Sequence, residues 1–233
     1  MEVSSRLGSV LVAVASDGAG SARYSALGSW ITVRVFTEMA VKYAGQRGSL
    51  CSLTPDMIDG WLDDIRERII LAARRKDTAP REFAATLVAA IVSPHDAAFI
   101  HVGDGASVFR LGESTEWIVP TWPAQGEYAS TTFFVTDDPV PIVQHAYVEQ
   151  SIAEIAVFSD GLERLALDFS KRAAHAPFFD TFFRPLQNSG AGRNRKLSKH
   201  LHHFLDGPSI CNKTDDDKTL ILAKRCAGPS CQL

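Results

Sequence analysis

Three apolar runs of this chain stop at the same dipeptide: "VAVASDG" at 12–18, "FIHVGDG" at 99–105 and "IAVFSDG" at 155–161. A short apolar run rich in Val, Ile or Phe and bounded by a turn dipeptide reads as a strand. An Asp where a strand leaves its sheet projects a carboxylate beyond the sheet's end, and the adjacent glycine lets another group approach the backbone closely. A fourth acidic stretch, Asp215-Asp216-Asp217, stands just before the last apolar run, "KTLILAKR" at 218–225. A single Asp-Gly is an ordinary turn. Three of them after apolar runs, with the added acid cluster, point to strand ends that converge; hairpin turns on separate sheet edges are the alternative.

The intervening text changes period. Residues 8–16, "GSVLVAVAS", read as a strand buried on both faces. From about Ser21 to Ala44 the residues Ile31, Val35, Met39 and Tyr43 recur at helical spacing. Thr54-Pro55 is a helix start, followed by Ile58, Trp61, Leu62, Ile65 and Ile69 on one face. From Phe83 to about Ser159 the pattern is strand and turn: "FAATLVAAIV", "AAFIHVG", "ASVFRLG", "EWIVPT", "STTFFVTD", "IVQHAYVE" and "EIAVFSD", with turns at Pro94-His95-Asp96 and Gly112-Glu113-Ser114. A short helix at 161–167, an aromatic-rich segment at 176–187 and a basic helix near 194–205 precede the final strand. Two helices, a run of antiparallel strands and more helices predict sheet layers covered by helices, in the α+β class.

Bulk properties exclude several classes. A formal net charge of −3 gives no general attraction to nucleic acid or anionic lipid. No apolar run approaches the ~20 residues of a membrane helix. The four cysteines, Cys51, Cys211, Cys226 and Cys231, lack zinc-ribbon spacing, and nothing at the N-terminus resembles a secretory signal, so a cytoplasmic location is expected. There is no G-x-S-x-G, no H-E-x-x-H, no Cys with Arg six residues on, and the "GAGS" glycines lack the Lys of a phosphate-binding loop.

Converged carboxylates repel one another and stay ionised together only beside cations. Mg²⁺ and Mn²⁺ prefer carboxylate, carbonyl and water oxygen, and several Asp without a nearby Cys or His suit them. Two such ions a few ångström apart can lower the pKa of a bridging water and clamp a phosphate for in-line attack.

The order of the motifs carries a family resemblance. "DGAGSA" at 17–22, "FAATLVAAI" at 83–91, "GDGASVF" at 103–109, "FSDGLERL" at 158–165 and "DDDKTLILA" at 215–223 resemble the successive motifs of the metal-dependent type 2C (PPM) protein phosphatases. "GEYAS" at 126–130, "PFFDTFF" at 177–183 and "TDDDKTL" at 214–220 resemble the small bacterial, PphC-type branch. The resemblance implies a four-layer α-β-β-α sandwich over residues 1–225, with 226–233 a short tail. It also implies a cytoplasmic bacterial phosphoserine/phosphothreonine phosphatase that uses two Mn²⁺ or Mg²⁺ ions and direct attack of a bridging water. A catalytically silent domain that binds phosphoproteins as a regulator is the alternative. By motif position Asp17 resembles the acid bridging both ions, and Gly18 the residue lending its carbonyl. Asp160 and Asp216 resemble the other ligands of the first ion, making Asp17, Asp160 and Asp216 the catalytic set. Asp217 stands where Asn is frequent, and Asp104 resembles an acid that holds a third, weaker ion with Asp160. The implied partner is a phosphorylated protein targeted by a bacterial serine/threonine kinase, with no nucleic acid and no membrane.

Two departures stand out. Relatives carry a segment of the type "CQDA" before the first Asp-Gly, and "MEVSSRLGS" has nothing like it. A first strand and an outer acid are thus expected to be missing, through a misplaced start or a shortened product, and Glu2 would replace the acid only by chance. Ala19 occupies the place where some relatives carry a His proposed to protonate the leaving group. Other features have ordinary readings: Ser21 as a helix cap, Phe178, Phe179, Phe182 and Phe183 as packing, and the basic helix with His200, His202 and His203 as a solvated face.

Overall fold

The computed structural model describes residues 2–5, 8–46, 49–112, 114–123, 132–137 and 142–226. Strands β1 (Glu2–Ser5) and β2 (Gly8–Ala15) lead into helix α1 (Ser25–Gln46), and helix α2 (Pro55–Arg75) follows. Next come β3 (Leu87–Val92), β4 (Ala97–Val102), β5 (Ala106–Leu111), β6 (Gln144–Val148) and β7 (Ile152–Phe158). A 3-10 turn at Asp160–Leu162 runs into the short helix α3 (Glu163–Ala166), then the small ribbon β8 (Leu167–Asp168) and β9 (Ala173–Ala174). Helices α4 (Ala176–Phe183), α5 (Arg195–Leu205) and α6 (Pro208–Cys211) precede β10 (Leu220–Lys224).

Two antiparallel sheets result, one ordered β1-β2-β3-β4-β6 and one ordered β10-β7-β5. Alternation along the strands assigns side chains to layers. Val10 and Val12 of β2, with Leu87, Ala89 and Ile91 of β3, face α1 and α2. The intervening Ala13, Ala15, Val88 and Ala90 face the second sheet, where they meet Phe109, Ile155 and Val157. Alanines at this middle layer let the sheets close around Phe99 and Phe109, whose rings stack at 5.3 Å. Phe99 is fully buried, so truncation to Ala is expected to cost about 3–5 kcal/mol. A third core, Trp117, Phe158, Leu162, Phe179, Phe183, Leu205 and Ile210, joins the second sheet to the later helices. The four-layer α-β-β-α order follows from these three apolar interfaces.

The helix signals act as their chemistry predicts. The Thr54 hydroxyl accepts from the Met57 amide at 3.4 Å, and Pro55 opens α2. Ile58, Trp61, Leu62, Ile65 and Ile69 are all buried, with Trp61 edge-on to Phe36 and Tyr43 of α1. Phe179 and Phe183 pack on Trp117 at 5.2 and 4.9 Å, which supports the packing role.

Four expectations require correction. No strand was expected before residue 8, yet β1 pairs with β2, Glu2 opposite Leu11 and Ser5 opposite Gly8. An open strand edge offers backbone groups that a hairpin satisfies with little regard to side chain. "EWIVPT" forms only an isolated bridge from Ile118 to Phe109. The described part of "STTFFVTD" is not a strand: Phe134 N–H donates to Asp137 Oδ2 at 2.8 Å, and Asp137 N–H returns to Phe134 O, closing a local turn. Finally, α1 begins at Ser25, which leaves Ser21 in an exposed turn before the helix and not at its cap. "GEYAS", Glu113, Cys231 and the tail beyond Cys226 lie outside the described residues, as do the side chains of residues 1–9.

Candidate active site

The three Asp-Gly turns and the loop before β10 lie at related strand ends, and hydroxyl side chains fix them there. Thr86, just before β3, receives the Asp17 amide on Oγ1 at 3.0 Å and donates its own amide to Asp17 O at 2.8 Å. Ser16 Oγ donates to Thr86 O at 2.6 Å. In the third turn, Ser159 Oγ accepts from Thr219 N–H at 3.0 Å and donates to Asp217 O at 3.3 Å. The Ser of each "SDG" therefore ties its turn to a neighbouring segment.

Glycine is required where backbones touch. A Cβ on Gly161 would lie 2.2 Å from Asp217 O, and one on Gly18 would lie 2.7 Å from the Ser25 backbone. Contact at Gly161 brings the acidic loop directly against the third Asp-Gly turn. The result is that one ligand oxygen from each of Asp17, Asp160 and Asp216 lies within 4.8 Å of the others. Asp17 and Asp160 are half-buried and Asp216 is exposed. Asp104 is not in this trio; Thr132 Oγ1 donates to its Oδ2 at 2.6 Å, and its charge acts on Asp160.

Each carboxylate is oriented by its own turn. Asp17 Oδ1 accepts from Gly18 N–H at 2.9 Å, Asp160 Oδ1 from Gly161 N–H at 2.8 Å, and Asp216 Oδ1 from Asp217 N–H at 2.9 Å. Burial pushes the Asp160 carboxyl up to about 8, and the charges of Asp104, Asp216 and Asp17 act in the same direction. Burial also raises Asp17, opposed by its hydrogen bonds with Asp160 and the Gly18 amide. Asp104 is raised by burial against the Thr132 bond. Glu163 rises to about 7, first through burial.

No Lys or Arg forms an ion pair with these carboxylates among the described residues. Lys218 Nζ donates to the Asp216 carbonyl at 2.8 Å and forms no ion pair among the described residues. A crowded, under-neutralised set of hard oxygen donors, free of Cys and His, fits divalent Mg²⁺ or Mn²⁺.

Similarity to known proteins gives the family. The family model described as Protein phosphatase 2C matches residues 3–206. The chain belongs to the protein phosphatase 2C family. Serine/threonine-protein phosphatase 3 of Escherichia coli (strain K12) is 34% identical over 211 residues, covering 89% of this chain and 81% of that protein. Serine/threonine phosphatase Stp1 from Staphylococcus aureus superposes with a TM-score of 0.60 at 15% identity, over 97% of this chain and 88% of Stp1. The catalytic domain of the serine/threonine protein phosphatase PstP, solved with two manganese ions, gives 0.54 at 13% identity over 92% of this chain and 86% of PstP. The two structures show the shared fold.

For this protein phosphatase 2C member, sequence reading named Asp17, Gly18, Asp104, Asp160 and Asp216, and the structure gathers three of those acids with Asp104 nearby. It did not name Thr86, Thr132, Ser159 or Glu163. Ser159 had a visible signal, because it repeats the Ser before Asp17. Thr86 and Thr132 act across about 69 and 28 residues of chain, a relation no local pattern reports.

Proposed function

We infer that this chain, a serine/threonine phosphatase of the protein phosphatase 2C family, hydrolyses phosphoserine and phosphothreonine in proteins with two Mn²⁺ or Mg²⁺ ions. The observation that carries this reading is the meeting of Asp17, Asp160 and Asp216 within 4.8 Å, with no Lys or Arg ion-paired to them among the described residues. When bound, the two ions supply charge that keeps the carboxylates ionised together and an activated water for direct attack on phosphorus, without a phosphoenzyme.

The chain's own residues set up that chemistry. Asp17 and Asp160, each held by the following glycine amide, present fixed oxygens to the ions, and Asp216 completes the set from the loop before β10. The Gly18 carbonyl is assigned as a further ligand. Asp104, shared between Thr132 and the field of Asp160, is assigned to a third, weaker site. The PstP structure with two manganese ions supports the metal class. No helix of the described residues is long and apolar enough to cross a membrane. A cytoplasmic bacterial enzyme, acting through one domain at 1–225 on the products of a serine/threonine kinase, completes the reading.

Phosphate release from a phosphothreonine peptide, in millimolar Mn²⁺ and in excess EDTA, tests it. Turnover in Mn²⁺ alone is expected. A folded chain that binds the phosphopeptide without turning it over at any Mn²⁺ concentration would instead favour a regulatory binding domain.

A further inference from the structure

The charge of this chain is unevenly placed. Its formal net charge is −3, yet residues 163–213 hold nine Lys and Arg against four Asp and Glu. This basic stretch fills the crossover between β7 and β10, which also deliver Asp160 and Asp216.

Within it lies an open cleft of about 570 Å³, bounded by α3 and β8, the start of α4 and the end of α6. Arg164, His175 and Lys213 line it beside Phe169, Phe178 and Ile210. Its acid, Asp168, is already engaged: Oδ1 accepts from Ser170 N–H and Oγ–H and from Lys171 N–H, and Oδ2 pairs with Lys171 Nζ at 3.0 Å. Arg164 and Lys213 form no ion pair among the described residues and are exposed. Cationic side chains lining one cleft with aromatic and aliphatic ones suit a short anionic peptide, since carboxylates take the charge while the apolar surface takes side-chain stems.

Two of the cleft's cations stand close along the chain to the candidate active site. Arg164 lies four residues after Asp160, on the same turn and short helix, and Lys213 three residues before Asp216. Three residues span at most about 11 Å between Cα atoms, so a substrate strand of three to five residues is long enough to reach from the acid cluster to Lys213.

We propose that the Arg164–His175–Lys213 cleft is a docking site for acidic residues flanking the phosphorylated residue of the substrate protein. The proposal rests on the phosphatase reading for its substrate, but on separate residues for its contacts. Carboxylates of Asp or Glu, or a second phosphate, satisfy the same two cations, Arg164 and Lys213, with the His175 ring beside them. Attraction between such exposed groups is weakened by salt.

The test uses three phosphothreonine peptides alike except at the third to fifth positions on either side, which are Asp/Glu, phosphoserine, or Ser/Gly. Binding is read by fluorescence anisotropy in EDTA, and kcat/KM by phosphate release in Mn²⁺, both at low ionic strength. An anionic peptide is expected to show about tenfold preference over the neutral one, mainly in KM. The Asp/Glu and phosphoserine arms identify which anion the cleft selects. In the double variant Arg164→Ser/Lys213→Ser the ratio is expected to fall to within about twofold of one, and Arg164→Lys/Lys213→Arg is expected to keep it. A ratio within one variant cancels any general change in activity. Equal kinetics and binding on all three peptides in the unaltered chain, a preference that survives the double variant, or equal displacement by a single-stranded oligonucleotide would overturn the proposal. Preferential binding without turnover of any peptide would uphold the cleft and defeat the phosphatase reading.

Discussion

The amide of Gly105 donates to Glu163 Oε1 at 2.5 Å, joining the second Asp-Gly turn to the helix that begins after the third. Gly105 has φ of +86°, and a Cβ there would lie 2.7 Å from Phe158 O, so the turn reaches this geometry only with glycine. Through this bond the loop carrying Asp104 is held against the segment carrying Asp160. Glu163→Ala leaves the partly buried amide unpaired and is expected to cost about 1–3 kcal/mol, read by urea unfolding. Glu163→Gln keeps an acceptor and is expected to cost less. Equal stability of all three proteins would show that the brace carries no energy.

Asp160 and Glu163 give the metal-free fold a defined pH response. Their folded pKa values, about 8 and about 7, lie above the ordinary carboxylate range. The folded chain therefore binds more protons than the unfolded chain between about pH 4 and pH 8, and stability falls as pH rises through that window. In EDTA, Tm is expected to be lower at pH 8.5 than at pH 6. A Mn²⁺ concentration about 100 times its Kd at pH 8.5 adds roughly 2.7 kcal/mol, or about 5–10 °C, and the same concentration is expected to add less at pH 6, where the carboxylates are protonated. A Tm in EDTA that rises with pH would contradict the assigned shifts.

Gly161→Ala tests the contact that brings the acidic loop to the third turn. Its new Cβ meets Asp217 O at 2.2 Å, an approach that backbone must relieve by moving. A loss of about 1–3 kcal/mol is expected, with weaker Mn²⁺ affinity by titration because Asp216 moves away from Asp160. Unchanged affinity would separate the loop position from metal binding.

Local chemistry made much of this molecule legible. Thr54-Pro55 announced α2, and the spacing of Ile58, Trp61, Leu62, Ile65 and Ile69 gave its buried face. The repeated Asp-Gly endings led to Asp17 and Asp160, because a strand end followed by glycine leaves a carboxylate on the sheet rim. What escaped was set by partners distant in sequence. Phe133 and Phe134 looked like strand, but the Asp137 carboxylate captured the Phe134 amide that a ladder would need. Strand β1 escaped because its pairing rests on the free edge of β2, not on its own hydropathy. Glu163 escaped because a Glu in the first turn of a helix reads as a favourable end charge, and only the fold aims it at Gly105.

The central claim is that Asp160 belongs to a metal-dependent site, and Asp160→Asn tests it most directly. Turnover of a phosphothreonine peptide is measured for both proteins across Mn²⁺ concentrations, with Tm in EDTA alongside. The variant removes one charge from a crowded set, so it is expected to fold with equal or higher Tm in EDTA, to lose most of its Mn²⁺-induced Tm rise, and to lose turnover at least about 100-fold. A folded Asp160→Asn protein that retains full Mn²⁺-dependent turnover would contradict the account.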